Sequence, residues 1–421
     1  MARSLRVAVV ARAVMPLHGI GGLERSVHDL VRHLAARDVA VTLITPPPRA
    51  DAPRVVPAFS SPRVVVRHVP YVTFPGANRR GTTILDRSTA YPLFGLRAGR
   101  AALVLARGGA IDIVHGFGAS VLGYALARRQ ATAPLVFNPQ GLEEFGATGS
   151  PPWPKRVGYA PLRRAVRVCA RAADAIIATD ASLVPAMSRH LHPRPGQVHV
   201  IPNGIDLAAA DRLAAVADGG RIRKQHGLTP EETLILSVGR LEFNKGFDVL
   251  AAALGRANQP GGSLANTSWR WVLVGTGPFS REIEAAAVAH GIAARTLFAG
   301  RATEADVHAW YEAATLFVHP TRYEGSSLVT LEAMAHRRAI VATRAGGLPD
   351  KVRPGVNGWL VEPGDSAALA AALTDALSGR ERIAQMGQRS REIVEREFAW
   401  PVLVEQQLAL YESLLKSAVR P

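Results

Sequence analysis

Short apolar runs of strand length alternate with longer segments of helical pattern along almost the whole chain, and no other feature constrains the fold as strongly. Residues 7–10, 39–44, 64–69, 111–115, 135–138, 173–179 and 198–201 read as strands. Amphipathic stretches such as 23–36 and 119–129 lie between them. A strand buried on both faces is apolar throughout, and parallel neighbours need a crossover, usually a helix. The alternation therefore predicts a parallel sheet covered on both sides. Pro202-Asn-Gly-Ile-Asp206 is a turn, after which the pattern restarts with 233–238, 271–274, 296–299, 316–319 and 339–342. The expected architecture is α/β, with two doubly wound halves at 1–202 and 203–396 facing across a cleft. A last helix, about 401–416 within 397–421, is expected to pack back toward the first half. The stretch 49–87, rich in Pro, Arg and Gly, reads as loops around the strand 64–69.

In open parallel sheets, ligands bind at the carboxyl ends of the strands. The chemistry is expected there, and one stretch stands out. The apolar run Leu316-Phe-Val-His319 is closed by Pro320, and Tyr323-Glu-Gly-Ser-Ser-Leu-Val-Thr-Leu-Glu-Ala-Met-Ala-His336 follows. Ser326 or Ser327 is a good N-cap for a helix whose free N–H groups would face an anion. Glu324 lies in the loop and Glu332 lies eight residues on, inside the helix. Carboxylates flanking an anion site suit a ligand with both phosphate and hydroxyl groups; the alternative is an ordinary strand–helix unit with two solvated glutamates.

Other strand ends carry related signals. Gly239-Arg-Leu-Glu-Phe-Asn-Lys-Gly246 puts Arg240 and Lys245 where two cations would grip a diphosphate, Arg as a fork and Lys as a point charge. Gly19-Ile-Gly-Gly-Leu-Glu24 follows the first strand, and Gly21 and Gly22 would let a phosphate approach the backbone. Val274-Gly-Thr-Gly-Pro278 lacks the third glycine of a dinucleotide fingerprint, so Gly275 reads as a tight turn near a base. Ala345-Gly-Gly-Leu-Pro-Asp350 is either a ligand loop or a simple connection. His115 and Gln140 lie at strand ends of the first half, where a histidine serves either as a structural hydrogen-bonder or as a catalyst. Asp-x-Asp, His-Glu-x-x-His and paired cysteines are all absent, so no dedicated metal site is expected.

Charge divides the chain. Residues 1–200 hold 26 Lys+Arg against 10 Asp+Glu, while residues 201–421 hold 24 of each, so the whole excess of +16 lies in the first half. A one-sided charge suits an anionic partner: a membrane face, a phosphorylated acceptor or nucleic acid. The basic segment 153–171 reads either as a membrane-surface helix, with Leu162, Val166 and Cys169 inward and Arg163, Arg164, Arg167 and Arg171 outward, or as a charged exterior helix of the sheet. Cys169 is the only cysteine, which excludes an internal disulfide and fits a reducing compartment. No stretch approaches the roughly 20 apolar residues of a membrane span, and the first apolar run is too short for a signal sequence. A cytoplasmic protein is expected, with peripheral membrane contact left open.

Taken together, these motifs resemble the retaining GT-B glycosyltransferases of family 4, the "glycosyl transferases group 1", over nearly the whole chain. The strongest part runs from Arg301 to Glu362, where Glu324 and Glu332 match the family's E-x7-E pair. The resemblance implies two Rossmann-like domains, acceptor-binding first and donor-binding second. It implies transfer of a sugar from a nucleotide-diphosphate sugar to a glycan or lipid-linked acceptor, without a metal or other cofactor. By the same resemblance Arg240 and Lys245 neutralise the leaving diphosphate, and Gly21 and Gly22 close on it. Gly239 and Gly275 belong to the donor loops, and backbone N–H groups of Ser326, Ser327 and Leu328 contact sugar and phosphate. Glu332 holds the ribose and Glu324 lies beside the transferred sugar. Retention in this family is explained by same-face attack, with the donor's own phosphate oxygen taking the acceptor proton. Two departures stand out: Gln140 replaces a histidine common in relatives, which leaves His115 as the fallback for a polar contact to the sugar or acceptor beside Gln140, and Arg337 replaces a glycine. The competing readings are a non-catalytic binder of nucleic acid or an anionic surface, and a sugar-nucleotide epimerase. A binder has no need of Arg240, Lys245, Glu324 and Glu332 together, and an epimerase needs an acid–base pair.

Overall fold

A computed structural model describes residues 4–19, 21–73, 83–146 and 157–419. The backbone separates into two compact units, Met1–Asn203 with Trp400–Pro421, and Gly204–Ala399.

The first unit holds a seven-stranded sheet, β1 (Arg6–Val10), β2 (Ala40–Thr45), β3 (Val64–His68), β4 (Ile113–Phe117), β5 (Leu135–Asn138), β6 (Ala175–Ala178) and β7 (Val198–Val200). Their order is β3-β2-β1-β4-β5-β6-β7, every pairing parallel. Helix Gly22–Ala35 buries Val27, Leu30, Val31 and Leu34 on one face of the sheet. The last helix, Trp400–Val419, belongs to this unit, and its Trp400, Leu403, Val404, Leu410 and Tyr411 join the same core. Helix Ala90–Arg107 covers the other face. That helix has no counterpart in the sequence reading, because its buried face is mostly Ala and Gly, with Phe94, Leu103 and Leu105 the only large apolar residues on it. The small residues are needed: a Cβ at Gly95 would meet the Ala119 carbonyl oxygen at 1.9 Å, so the next segment crosses at backbone contact. The stretch expected as one helix, 119–129, is instead a 3-10 turn Gly118–Val121 and a short helix Leu122–Leu126.

Helix Ala160–Ala172 buries Leu162, Val166 and Cys169 as its pattern predicts. Of its outward arginines, Arg163 donates to the Glu144 carbonyl and Arg167 to the His190 carbonyl, while Arg164 and Arg171 are exposed. Trp153, Lys155 and Arg156 of the basic segment, and residues 74–82 of the expected loops, lie outside the described residues.

The second unit holds six parallel strands: β8 (Thr233–Val238), β9 (Trp269–Val274), β10 (Thr296–Gly300), β11 (Leu316–His319), β12 (Ala339–Thr343) and β13 (Gly358–Val361). Their order is β10-β9-β8-β11-β12-β13. Five of the six were legible as apolar runs; β13 is a half-exposed edge strand of four residues and was not. The chain leaves β8 toward β9 on one side and enters β11 on the other, so the sheet has its topological switch point between β8 and β11. Among the described residues no helix is long and apolar enough to cross a membrane.

Candidate active site at the switch point of the second sheet

Two loops rise from the carboxyl ends of β8 and β11, and each is shaped by the other. The Asn244 carbonyl accepts hydrogen bonds from the Arg322 N–H at 2.7 Å and the Thr321 hydroxyl at 2.8 Å. The Arg322 guanidinium grips both carboxylate oxygens of Asp248, at 2.7 and 2.6 Å, and lies over the Phe243 ring. A bidentate pair of this kind fixes direction as well as distance. The β8 loop then closes as a 3-10 turn, Phe243–Lys245, ahead of helix Phe247–Ala257.

This stitching delivers Lys245 to Glu324. Their side chains are each 15% exposed and the Nζ–Oε2 distance is 2.5 Å. The same oxygen faces His319 Nε2 at 2.8 Å, and His319 is fully buried at the end of β11. Burial alone would raise the Glu324 pKa; the hydrogen bond from His319 and the charge of Lys245 overcome it and hold the group down to about 2. Burial lowers the pKa of His319, with Lys245 and Lys351 adding to the effect against the pull of Glu324, so the imidazole is neutral at pH 7. A neutral ring that donates from Nε2 has its acceptor at Nδ1, which has no partner among the described residues. Glu324 Oε1 likewise accepts no hydrogen bond among them.

After Glu324 the chain turns into helix Leu328–Ala335. Ser327 is its N-cap, with Oγ accepting from the Thr330 N–H at 3.4 Å and lying 2.9 Å from the Thr330 hydroxyl. Of the two serines the sequence offered, the second is the cap. Glu332 lies in the second turn, where Tyr311, buried on helix Glu304–Ala313, donates to its Oε2 at 3.0 Å. Behind the loop stands Ala345-Gly346-Gly347. Gly346, at φ +52°, leaves no room for a side chain, since a Cβ would lie 1.7 Å from the Glu324 carbonyl oxygen. That glycine pair is therefore the floor under Glu324. Gly239 and Gly275 are in backbone contact, joining the β8 loop to the β9 loop, where Leu241 N–H donates to Thr276 O at 3.1 Å.

The remaining expected residues are placed as follows. Arg240 is 77% exposed and paired with Glu242 at 2.7 Å, so the two cations of the β8 loop have different partners, Glu242 outside and Glu324 inside. In the first unit, Gly21 is the N-cap and Gly22 the first residue of helix Gly22–Ala35, with no side-chain cap and the Glu24 carboxylate folded back toward Gly21. Gln140 is held at φ +66° by Asn138, whose Oδ1 accepts from its N–H at 3.0 Å and its amide at 2.8 Å. His115 needs correction. It is the middle residue of β4 rather than its end, is buried, stacks on Phe117, and is hydrogen-bonded through Nδ1 to the Tyr411 hydroxyl at 2.7 Å. Burial pushes its pKa down to about 3. A ring enclosed between its sheet and the last helix does not reach a sugar.

His319, Thr321, Arg322 and Tyr311 were not singled out by the sequence. Only His319 had a signal, as a polar residue closing an apolar strand five positions before Glu324. Arg322 and Tyr311 find partners 74 and 21 residues away, which no local pattern marks.

Two parallel Rossmann-like sheets with these loops place the chain in the GT-B class of transferases. The family "Glycosyl transferases group 1" matches residues 219–393 and "Glycosyltransferase Family 4" matches residues 20–209. The D-inositol 3-phosphate glycosyltransferase of Geodermatophilus obscurus is 30% identical over 96% of this chain and 89% of its own. The D-inositol 3-phosphate glycosyltransferase 1 of Catenulispora acidiphila is 29% identical over 98% and 96%. The chain belongs to the family-4 glycosyltransferases. In fold it is similar to a sucrose-phosphate synthase from Thermosynechococcus elongatus, with TM-score 0.74, 24% identity and coverage of 99% and 100%. It is also similar to Anabaena HepE in complex with UDP-glucose, with TM-score 0.68, 20% identity and coverage of 97% and 100%.

Proposed function

We propose that this glycosyltransferase moves a sugar from a UDP-sugar to a hydroxyl of a phosphorylated polyol or an anionic, lipid-linked glycan, with retention of anomeric configuration and without a metal. The observation that carries the donor side is the Lys245–Glu324–His319 cluster at the switch point, directly before the N-terminus of helix Leu328–Ala335. As the anomeric C–O bond breaks, the departing diphosphate gains negative charge. Lys245 and the N–H groups of Ser326 to Leu328 are fixed positive ends that meet that charge, and the exposed Arg240 adds a second cation from the same loop as Lys245. Glu324 spends Oε2 on Lys245 and His319 and keeps Oε1 for a sugar hydroxyl. Glu332, oriented by Tyr311, takes the ribose hydroxyls. The leaving phosphate oxygen takes the acceptor proton on the same face, so no protein nucleophile is required. The choice of UDP is supported by the UDP complexes of HepE. The phosphorylated acceptor is supported by the inositol phosphate named for the relatives and by the basic first half.

The test is release of nucleoside diphosphate from UDP-, GDP- and ADP-sugars, with and without inositol phosphate, and with and without EDTA. Turnover of one UDP-sugar, faster with the phosphorylated polyol and unchanged by EDTA, is expected; no turnover with any donor would sink the reading. The exposed Arg164 and Arg171 favour a peripheral membrane contact as the alternative use of the basic charge. Flotation with anionic liposomes, weakening with salt, is its readout, and equal behaviour with neutral liposomes would exclude it.

A further inference from the structure

One charge in the donor unit has no role in the scheme above. Lys351 ends the short helix Leu348–Lys351 and is 0% exposed. Taking an ammonium out of water is costly unless its donors are satisfied, and lysine is among the residues least often fully buried. Its Nζ donates to the Gly347 carbonyl at 3.2 Å and to the Ser326 hydroxyl oxygen at 3.4 Å, and it lies 5.4 Å from the centre of the Phe398 ring. The two oxygens belong to the two loops of the site: Gly347 follows the glycine that floors Glu324, and its N–H reaches back to the Gly325 carbonyl at 3.3 Å. Ser326 stands two residues after Glu324 and is half-buried.

The chemistry of that contact has a direction. An ammonium has three donors and no acceptor, so the Ser326 oxygen must accept from Lys351. The serine's own proton then points elsewhere, and no other partner takes it among the described residues. Resting on the donor reading above, we infer that Lys351 is a positioning residue that turns the Ser326 O–H outward as a directed donor to the nucleotide diphosphate. The ammonium stays buried, behind the loop, and acts through the serine. It tightens the hold on the anion by fixing one hydrogen bond and by adding positive charge behind the N–H groups at the start of helix Leu328–Ala335. Ser326 is thereby a side-chain ligand of the diphosphate as well as a backbone one.

Calorimetric titration of the full chain with UDP, GDP, ADP and the matching nucleosides tests this. Wild type binding none of the diphosphates would remove the donor reading itself, and this inference with it. With a diphosphate bound, Lys351→Met and Ser326→Ala are each expected to weaken it about tenfold, as loss of a hydrogen bond to a charged group does. Both are expected to leave the nucleoside's affinity within about twofold, and the double variant to be no weaker than either single one. Equal loss for nucleoside and diphosphate would mean that Lys351 only supports the loop, and would overturn the inference. So would additive losses, or a Ser326→Ala variant that binds the diphosphate like wild type. The last result decides the matter even where Lys351→Met fails to fold.

Discussion

Lys245 and Glu324, on loops from two adjacent parallel strands and 79 residues apart in sequence, share an ion pair of 2.5 Å with both side chains largely withdrawn from water. The pair places a cation at the switch point before any ligand arrives, so its position is set by the fold and not by the substrate. Preorganised charge of this kind stabilises a transition state without reorganising during the reaction. Lys245→Ala is expected to lower the transfer rate by at least about 10²-fold, measured as nucleoside diphosphate released under saturating donor. A rate near wild type would remove Lys245 from the chemistry.

Tyr311 acts on the same site from a distance. Its hydroxyl donates to Glu332 Oε2 and orients the carboxylate proposed to hold the ribose. Tyr311→Phe keeps the ring and its stacking on His336 and removes the hydroxyl, with its hydrogen bonds to Glu332 and to the Val329 carbonyl. The expected result is a KM for the donor raised by about tenfold or more with kcat little changed, since a hydrogen bond to a charged group contributes about 1.5–3 kcal/mol. A fall in kcat with KM constant would place Tyr311 in the reaction rather than in donor binding.

The sheets were legible because parallel strands buried on both faces announce themselves as apolar runs, and in the first unit even the edge strands β3 and β7, which are partly exposed, carry enough valine to be read. The loops of the candidate site were legible because glycine, serine and charged residues at strand ends are a local pattern. What lay hidden was non-local or small. Helix Ala90–Arg107 buries mostly alanine and glycine, which a hydrophobic period registers weakly. Arg322 and Asp248, which hold the two loops together, carry no mark of each other in the sequence. His115 misled because its polarity at an apparent strand end suggested a ligand; β4 begins two residues later than its apolar run, which puts the ring inside the core.

The His115 correction has its own consequence. Tyr411, on the last helix, is joined to His115 across 2.7 Å in a fully buried setting. Tyr411→Phe leaves the Nδ1 of a neutral imidazole without its partner, at a cost of about 1–3 kcal/mol. The first unit is expected to melt earlier, while binding of nucleotide diphosphate to the second unit stays at the wild-type value. Differential scanning calorimetry with and without nucleotide separates the two, and loss of nucleotide affinity would contradict the placement of His115 in the core.

Arg337, the departure noted at the end of the site helix, adopts φ +55° just beyond the C-cap His336. A left-handed residue there is what ends many helices, and glycine occupies it without a Cβ penalty. An arginine costs about 1–2 kcal/mol in that conformation, part of which a glycine returns as unfolded-state entropy. Arg337→Gly is therefore expected to stabilise the second unit by about 0.5–1 kcal/mol, read as a higher urea midpoint. A lower midpoint would show that the arginine side chain contributes more than its backbone strain removes.

Glu324 makes stability of the second unit depend on pH in one direction. In the fold its carboxyl titrates at about 2, held there against burial by His319 and Lys245. Unfolded, it titrates near the ordinary glutamate value of about 4.3. Between those values the unfolded chain binds the proton and the folded one does not, so stability rises with pH through the window. The contribution is complete above about pH 5 and is lost as pH falls toward 2. Glu324→Gln has no such proton to release, and its urea midpoint is expected to differ from wild type most at pH 6 and to approach it as pH is lowered through 4 to 3. Two curves that stay parallel over that range would mean that the carboxylate is not held as an anion by its two neighbours, and the electrostatic basis of the site would have to be sought elsewhere.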